Sequence, residues 1–198
     1  YKNIRILQGE ALNLDPEKKT VATDIGRFDY DTLIIACGSR HTYFGNEKWE
    51  PHAPGLKTLE QATEIRRRVL SAFERAEAEA DADKMTRHLT FVVVGGGPTG
   101  GEIAGALGEL SRFTLAKDFK AIDPTLSRVI LIEAGPGILP SFSKKLSQKA
   151  ARDLEKLGVE IWTSRRVTDI TPSSIELGEE KILASTVIWA AGVQASGI

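Results

Sequence analysis

A glycine-rich corner between an apolar run and a helical pattern most constrains the fold of this chain. Phe91 to Val94 form an unbroken apolar run, which is typical of a strand buried on both faces of a parallel sheet. The glycines of Gly95-x-Gly97-x-x-Gly100 follow at once, and apolar residues then recur at helical spacing. This strand–turn–helix context is the one in which such glycines form a dinucleotide-binding fingerprint.

Each glycine of the fingerprint has its own physical role. Gly95 permits the tight turn, Gly97 lets the backbone approach a pyrophosphate, and Gly100 lets the helix pack close to the strand. The helix then presents free N–H groups and the positive end of its dipole. The alternative is a glycine turn before a tightly packed helix that binds no ligand. The predicted cofactor-binding residues here are Gly95, Gly96, Gly97, Pro98, Thr99 and Gly100.

A carboxylate ends the second predicted strand, Arg128 to Glu133. In a βαβ unit this position can accept hydrogen bonds from the adenosine ribose hydroxyls. Glu133 lies 33 positions after Gly100, more than the usual spacing of about 20, and an insertion at 111–127 accounts for the excess. The alternative is that Glu133 is simply a polar residue at a strand end.

The order of predicted elements indicates an α/β fold. From residue 58 the chain reads αβαβαβ, then a short antiparallel β-meander, then a last buried strand. Right-handed crossovers predict a Rossmann-like parallel sheet with helices on both faces and the meander as an excursion. Before it, the pattern predicts strands at 3–8, Thr20 to Thr23 and 32–39. The Pro- and Gly-rich residues 51–57 then form a linker.

Composition excludes several classes. The formal net charge of -1 gives no reason to expect a nucleic-acid partner, and the single cysteine, Cys37, excludes an intrachain disulfide or a cysteine-rich metal site. No metal ligand is predicted. No apolar run approaches the roughly 20 residues of a membrane helix. We interpret His41, His52 and His88 as surface or loop residues, because none has a partner at catalytic spacing.

Three segments together resemble one family. The segments are Gly95-Gly96-Gly97-Pro98-Thr99-Gly100-Gly101-Glu102, LIEAGPGILP and VIWAAGV, and they are similar to type II NADH:quinone oxidoreductases of the FAD/NAD(P)-dependent pyridine nucleotide-disulfide oxidoreductase superfamily. The resemblance implies a partial FAD-binding domain at 1–50, the linker at 51–57 and an NADH-binding domain at 58–198. It also implies hydride transfer from NADH to FAD and on to a quinone, with the flavin carrying the chemistry.

The resemblance also implies roles for further residues. Glu102 would lie near the nicotinamide as the one candidate catalytic residue; its alternative role is a charge in the first turn of the helix. Ala134, next to Glu133, would also bind the cofactor. Ala190, Ala191 and Gly192 would flank the nicotinamide, and their small size would let its ring stack close to a flavin.

We expect the chain to be an internal part of a longer protein. It would bind NADH but not retain FAD, and it would be inactive by itself. For the longer protein, the resemblance implies a cytoplasmic location at the inner face of the membrane. Contact with the membrane would be made through segments outside this soluble chain. The resemblance also allows a homodimer. Two alternatives stay open: a related flavoprotein reductase acting on ferredoxin, rubredoxin or a disulfide, and a non-enzymatic NADH-binding module.

The carboxylate of Glu133 predicts a preference for NADH over NADPH. A 2′-phosphate at this place would meet its negative charge, and no arginine follows before Arg152. We expect kcat/KM to be higher with NADH than with NADPH in steady-state assays of the intact protein. A higher value with NADPH would contradict this interpretation.

Overall fold

The computed structural model describes residues 2–197, and they divide into two compact units. The first unit runs to Arg40 and resumes at Gln194, whereas the second unit is His41–Val193. The observed boundary therefore lies about ten residues earlier than the predicted one at residue 50, and the chain crosses between the units twice. Which cofactor domains these units represent stays a proposal.

The first unit contains an antiparallel three-stranded meander. Its strands are β1 (Ala11–Asp15), β2 (Thr20–Thr23) and β3 (Gly26–Asp29), with β2 in the middle. Gly26 has φ 144°, a conformation that glycine adopts without steric cost, and it closes the turn opposite Thr23. The predicted strand at Thr20–Thr23 is confirmed. The short strand β4 (Ser39–His41) follows at the unit boundary.

Two other strands predicted in this unit are wrong. The predicted strand at 3–8 contains no regular secondary structure, and of the predicted strand at 32–39 only Ser39 is in a strand. Ile6 is 91% exposed and Ile34 is 87% exposed. A strand forms only where a neighbour accepts and donates its backbone hydrogen bonds. Within the described residues these two segments have no such neighbour, although their apolar pattern is that of a strand.

The second unit is built on four parallel strands, which lie side by side in the order β11 (Thr186–Trp189), β5 (Thr90–Val94), β6 (Arg128–Ile132) and β7 (Val159–Trp162). It begins with a 3₁₀ helix, Glu47–Trp49, and a turn of π-helix, Leu110–Thr114, follows its third α-helix. Its other elements, in chain order, are α1 (Leu59–Ala78), α2 (Ala82–His88), β5 (Thr90–Val94), α3 (Pro98–Glu109), β6 (Arg128–Ile132), α4 (Lys144–Lys156), β7 (Val159–Trp162), β8 (Asp169–Thr171), β9 (Ser174–Leu177), β10 (Glu180–Leu183), β11 (Thr186–Trp189) and β12 (Val193–Ala195), the last crossing the unit boundary.

The predicted parallel sheet is confirmed, but its helices lie on one face only. All four α-helices contribute side chains to a single apolar cluster with Phe91, Val93 and Leu131 of the sheet. The alternate residues of the same strands, such as Val92 and Ile130, pack instead against the antiparallel sheet β10-β9-β8 and the segment that carries Trp49. A sheet face needs an apolar cover, and a second sheet supplies it as well as helices do.

Local sequence signals explain where the main helices begin. Thr58 caps α1: its hydroxyl accepts from the backbone N–H of Gln61, whose side chain accepts from the N–H of Thr58. Ser143 caps α4 through the N–H of Leu146. The polar stretch after α1 contains α2, which begins because the carboxylate of Asp81 accepts two backbone N–H bonds.

The predicted linker at 51–57 is part of the packed second unit. Ala53 is fully buried, and the carbonyl of Pro54 accepts from the N–H of Trp189 on β11. Arg68 of α1 donates to the carbonyls of Pro51 and His52. Arg68 therefore fastens this segment to α1, a contact that sequence analysis did not predict.

The insertion at 111–127 is fastened by one carboxylate. Glu77 near the end of α1 accepts the backbone N–H groups of Lys120, Ala121 and Ile122, and these bonds lower the pKa of its carboxyl. The extra residues before β6 therefore fold back onto α1.

Within residues 2–197, every helix is too short or too polar to cross a bilayer.

Close packing between α3 and the end of α4 requires glycine at position 108. A Cβ at Gly108 would lie 2.7 Å from the carbonyl oxygen of Leu157. We expect Gly108→Ala to destabilise the fold by about 1–3 kcal/mol through overpacking, measured by urea unfolding. Gly101→Ala in the same helix is the control, since its Cβ meets nothing within 4 Å. We expect it to be neutral or stabilising by up to about 1 kcal/mol.

Candidate dinucleotide-binding site

The glycine corner brings the end of β5 into direct contact with the start of α3. Gly95 has φ 110°, and a Cβ there would lie 2.6 Å from the backbone of Ala190 after β11. A Cβ at Gly100 would lie 1.8 Å from the carbonyl oxygen of Gly95. Both positions therefore exclude any side chain, which agrees with the roles that the sequence predicted for them.

Gly97 leaves the N-terminus of α3 open. A Cβ at Gly97 would meet nothing within 4 Å, and among the described residues no side chain caps this helix end. Pro98 occupies the first turn, where its missing N–H costs nothing. The N–H groups of this turn and the helix dipole therefore face open space, which is the arrangement that binds phosphate at helix N-termini.

Glu133 holds this corner to the loop that follows β6. Its Oε2 accepts from the N–H of Gly96 at 2.7 Å, and its Oε1 accepts from the N–H of Gly135 at 2.6 Å. Each carboxylate oxygen has a second lone pair, so Glu133 can still accept hydrogen bonds from a ligand. The carboxylate that was predicted to bind ribose is thus also a structural brace of the site.

A cavity of about 740 Å³ opens at the carboxyl ends of the parallel strands. Its size suits a small-molecule or cofactor site, and its position is the one where open α/β sheets bind ligands. The predicted site residues that line it are Gly95, Gly97, Pro98, Thr99, Glu133, Ala134, Ala190, Ala191 and Gly192.

Three basic side chains line the same cavity, and sequence analysis missed all of them. They are Lys57, Arg165 and Arg166, against the single acidic residue Glu133. This excess of positive charge suits an anionic ligand such as a diphosphate. The signal was available for the two arginines: they follow β7 at the edge where the other strands also end.

The opposite end of the cavity is apolar and tightly built. Ala190 donates its N–H to the carbonyl of Val94, and Trp189 donates its indole N–H to the carbonyl of Thr42. The ring of Phe44 lies over Gly192, where a Cβ would come within 2.7 Å of its Cζ. Phe44 is a further lining residue that sequence analysis missed. Small residues and the ring of Phe44 thus line the part of the wall where a planar ring could lie.

The structure places three predicted residues away from the cavity wall. Gly96 and Gly100 are buried in the corner and support it. Glu102 is exposed and lies outside the set of lining residues. It is also the fifth residue of α3, so the interpretation that it belongs to the first turn is wrong. The helix begins at Pro98, one turn before this carboxylate.

His41 is not the plain surface or loop residue that the sequence indicated. Its ring packs on Gly55, where a Cβ would lie only 2.1 Å from Nε2, and burial lowers the pKa of its imidazole. Both ring nitrogens are shielded from solvent and have no hydrogen-bond partner among the described residues. The ring therefore fills space beside β11 in its neutral form.

Together, the open helix N-terminus, the braced carboxylate and the basic cavity define an α/β protein of the dinucleotide-binding class. Residues 1–197 match the family described as pyridine nucleotide-disulphide oxidoreductase. The chain belongs to this family, which confirms the superfamily that the sequence motifs predicted.

Individual relatives show which members of this family the chain is similar to. Over 98% of its length the chain is 44% identical to a type II NADH:quinone oxidoreductase of Mycobacterium tuberculosis, and over 98% it is 31% identical to one of Staphylococcus haemolyticus. The solved structure of NDH2 from Plasmodium falciparum in complex with NADH superposes with a TM-score of 0.84 at 25% identity, covering 96% of this chain and 41% of that one. The chain spans 43% and 48% of the lengths of the two bacterial relatives.

Glu133 accepts two backbone hydrogen bonds, and we therefore expect its replacement to lower the stability of the fold even when no ligand is bound. In Glu133→Gln one oxygen becomes an NH₂ group that faces a backbone donor, Gly96 or Gly135. We expect a loss of about 1–3 kcal/mol in the free energy of unfolding, since a half-buried N–H loses its acceptor. Urea unfolding measures it. The exposed Glu102→Gln is the matched control, and equal effects of the two substitutions would contradict the brace.

Proposed function

We propose that this chain is the coenzyme-binding part of a flavoprotein NADH dehydrogenase, which transfers hydride from NADH to FAD and then reduces a quinone. The observation that carries the proposal is the shared cavity. The open N-terminus of α3, the Glu133 carboxylate and the small residues after β11 all line it. These are the three contacts that a dinucleotide needs, for its diphosphate, its ribose and its nicotinamide.

The residues present fit the coenzyme. The absent Cβ at Gly97 leaves room for a pyrophosphate within reach of the first-turn N–H groups of α3, and Arg166 adds positive charge on the same cavity. Glu133 and Ala134 would lie at the adenosine ribose. Ala190, Ala191 and Gly192 would flank the nicotinamide, and their small side chains would leave one face of its ring accessible.

The protein's part in the reaction is to bind the coenzyme and to hold it in position. FAD, when bound in the whole protein, supplies the redox chemistry by accepting the hydride. No residue of the described chain is needed as an acid or base for that step, and Glu102, the one candidate catalytic residue, is exposed. The main chain of the glycine corner holds the diphosphate, and the wall after β11 sets how closely another planar ring can approach.

Quinone is proposed as the acceptor because relatives matched over nearly the whole chain carry that activity in their names. Quinones partition into lipid, so the proposal places the whole protein at the inner face of the cytoplasmic membrane. Vesicle co-sedimentation measures the membrane contact, and the mass in solution measures pairing into a homodimer. The alternative result of an acceptor assay would be reduction of a ferredoxin, a rubredoxin or a disulfide in place of a quinone.

The quinone step is tested with the protein as encoded by its gene, purified with its native flavin content. We expect NADH oxidation coupled to reduction of a short-chain ubiquinone analogue, followed by absorbance at the NADH band. Oxidation of NADH that depends on a ferredoxin, and not on the quinone, would overturn the acceptor assignment. It would leave coenzyme binding intact.

Coenzyme binding is tested at Gly97. We expect Gly97→Ala to weaken NADH binding about tenfold or more, because a methyl group would occupy the approach of the diphosphate to the helix N–H groups. The melting temperature should stay unchanged, since that Cβ meets nothing within 4 Å. Isothermal titration calorimetry measures the Kd. Gly101→Ala, one turn further along α3, is the control and should bind NADH as the wild type does.

A further inference from the structure

Two arginines lie beside the carboxylate that the proposed function assigns to the ribose. The backbone N–H of Ser164 donates to the carbonyl of Gly135, and that of Arg165 donates to the carbonyl of Glu133. Ser164 itself has a left-handed backbone with φ 55°. The chain after β7 is therefore hydrogen-bonded to the Glu133 loop, and Arg165 and Arg166 line the same cavity as Glu133.

The two arginines differ in their ionic partners. Nη1 of Arg165 lies 3.3 Å from Oε2 of Glu180, whereas Arg166 forms no ion pair with another described residue. Glu180 is the first residue of β10 and lies outside the lining of the cavity. The pair links the cavity rim to the antiparallel sheet and draws the positive charge of Arg165 toward Glu180.

We infer that the Arg165–Glu180 ion pair is a determinant of coenzyme choice, in which Glu180 withholds Arg165 from a 2′-phosphate on the adenosine ribose. This inference rests on the proposed function. Glu133 disfavours the 2′-phosphate by charge, but an arginine beside the ribose is the feature that accommodates it. With Arg165 neutralised by Glu180, the site retains the preference for NADH that Glu133 creates.

The energetics make the pair easy to release. It is a single contact at 3.3 Å between side chains that are 53% and 42% exposed, and pairs of this kind contribute little to stability. A phosphate monoester carries more charge than a carboxylate and can accept two parallel N–H bonds from a guanidinium. Removing the charge of Glu180 should therefore free Arg165 for the phosphate without unfolding the sheet edge.

Glu180→Gln tests the inference in the protein as encoded by its gene. We expect the Kd for NADPH to fall about fivefold, the effect of one exposed ion pair, while the Kd for NADH stays within about twofold of the wild-type value. Isothermal titration calorimetry measures both. Glu179→Gln is the matched control: it removes the same charge from the neighbouring exposed residue and should change neither Kd.

A double variant separates Arg165 from a general change in charge. In Glu180→Gln combined with Arg165→Gln, the gain for NADPH should disappear, since no guanidinium is left to release. Three outcomes would overturn the inference: equal tightening of NADH and NADPH, no change in either, or a gain that survives Arg165→Gln. If the wild-type protein binds no NADH at all, the proposed function itself fails, and that result is distinct from the other three.

Discussion

The contact between the carbonyl oxygen of Gly95 and the Cα of Gly100 is the constraint on which the second unit depends. A side chain at Gly100 would lie within 1.8 Å of that oxygen, so only glycine lets α3 start directly at the end of β5. This closeness aims the helix N-terminus into the cavity at the carboxyl edge of the sheet. Without it the helix would move outward, and its first-turn N–H groups would no longer converge with Glu133 and the turn after β11.

Glu133 shows how one side chain can serve both the fold and the site. Its two oxygens hold the N–H groups of Gly96 and Gly135, so the ribose end of the cavity keeps its shape before any ligand arrives. A preformed site loses less conformational freedom on binding than one that must order itself. The same rigidity holds the 164–165 segment beside the carboxylate through two backbone hydrogen bonds. On the proposed function, coenzyme choice would depend on a group of neighbouring charges and not on one residue.

Much of the second unit could be predicted because its signals are local. The run Phe91–Val94, the three glycines and the caps at Thr58 and Ser143 each specify their own stretch of backbone. That the helices cover only one face of the parallel sheet could not be predicted in this way. An apolar sheet face can be covered by helices or by a second sheet, and here the packing of the meander β8–β10 and the Trp49 segment decides which of the two covers it. The apolar pattern of a strand is the same in both cases.

By itself, the sequence determined the glycine corner and the strands that meet at it, because these follow from backbone sterics and periodicity over a few residues. The family was indicated by the resemblance of three motifs, and it did not follow from periodicity. Only the tertiary structure decided that Lys57 and Phe44 line the cavity and that Glu102 does not. It also decided that the Pro-rich segment 51–57 is packed. These facts depend on which distant segments share one edge of the sheet. Contacts between residues far apart in the chain leave no periodic trace in the sequence, since they are fixed by the packing of whole elements.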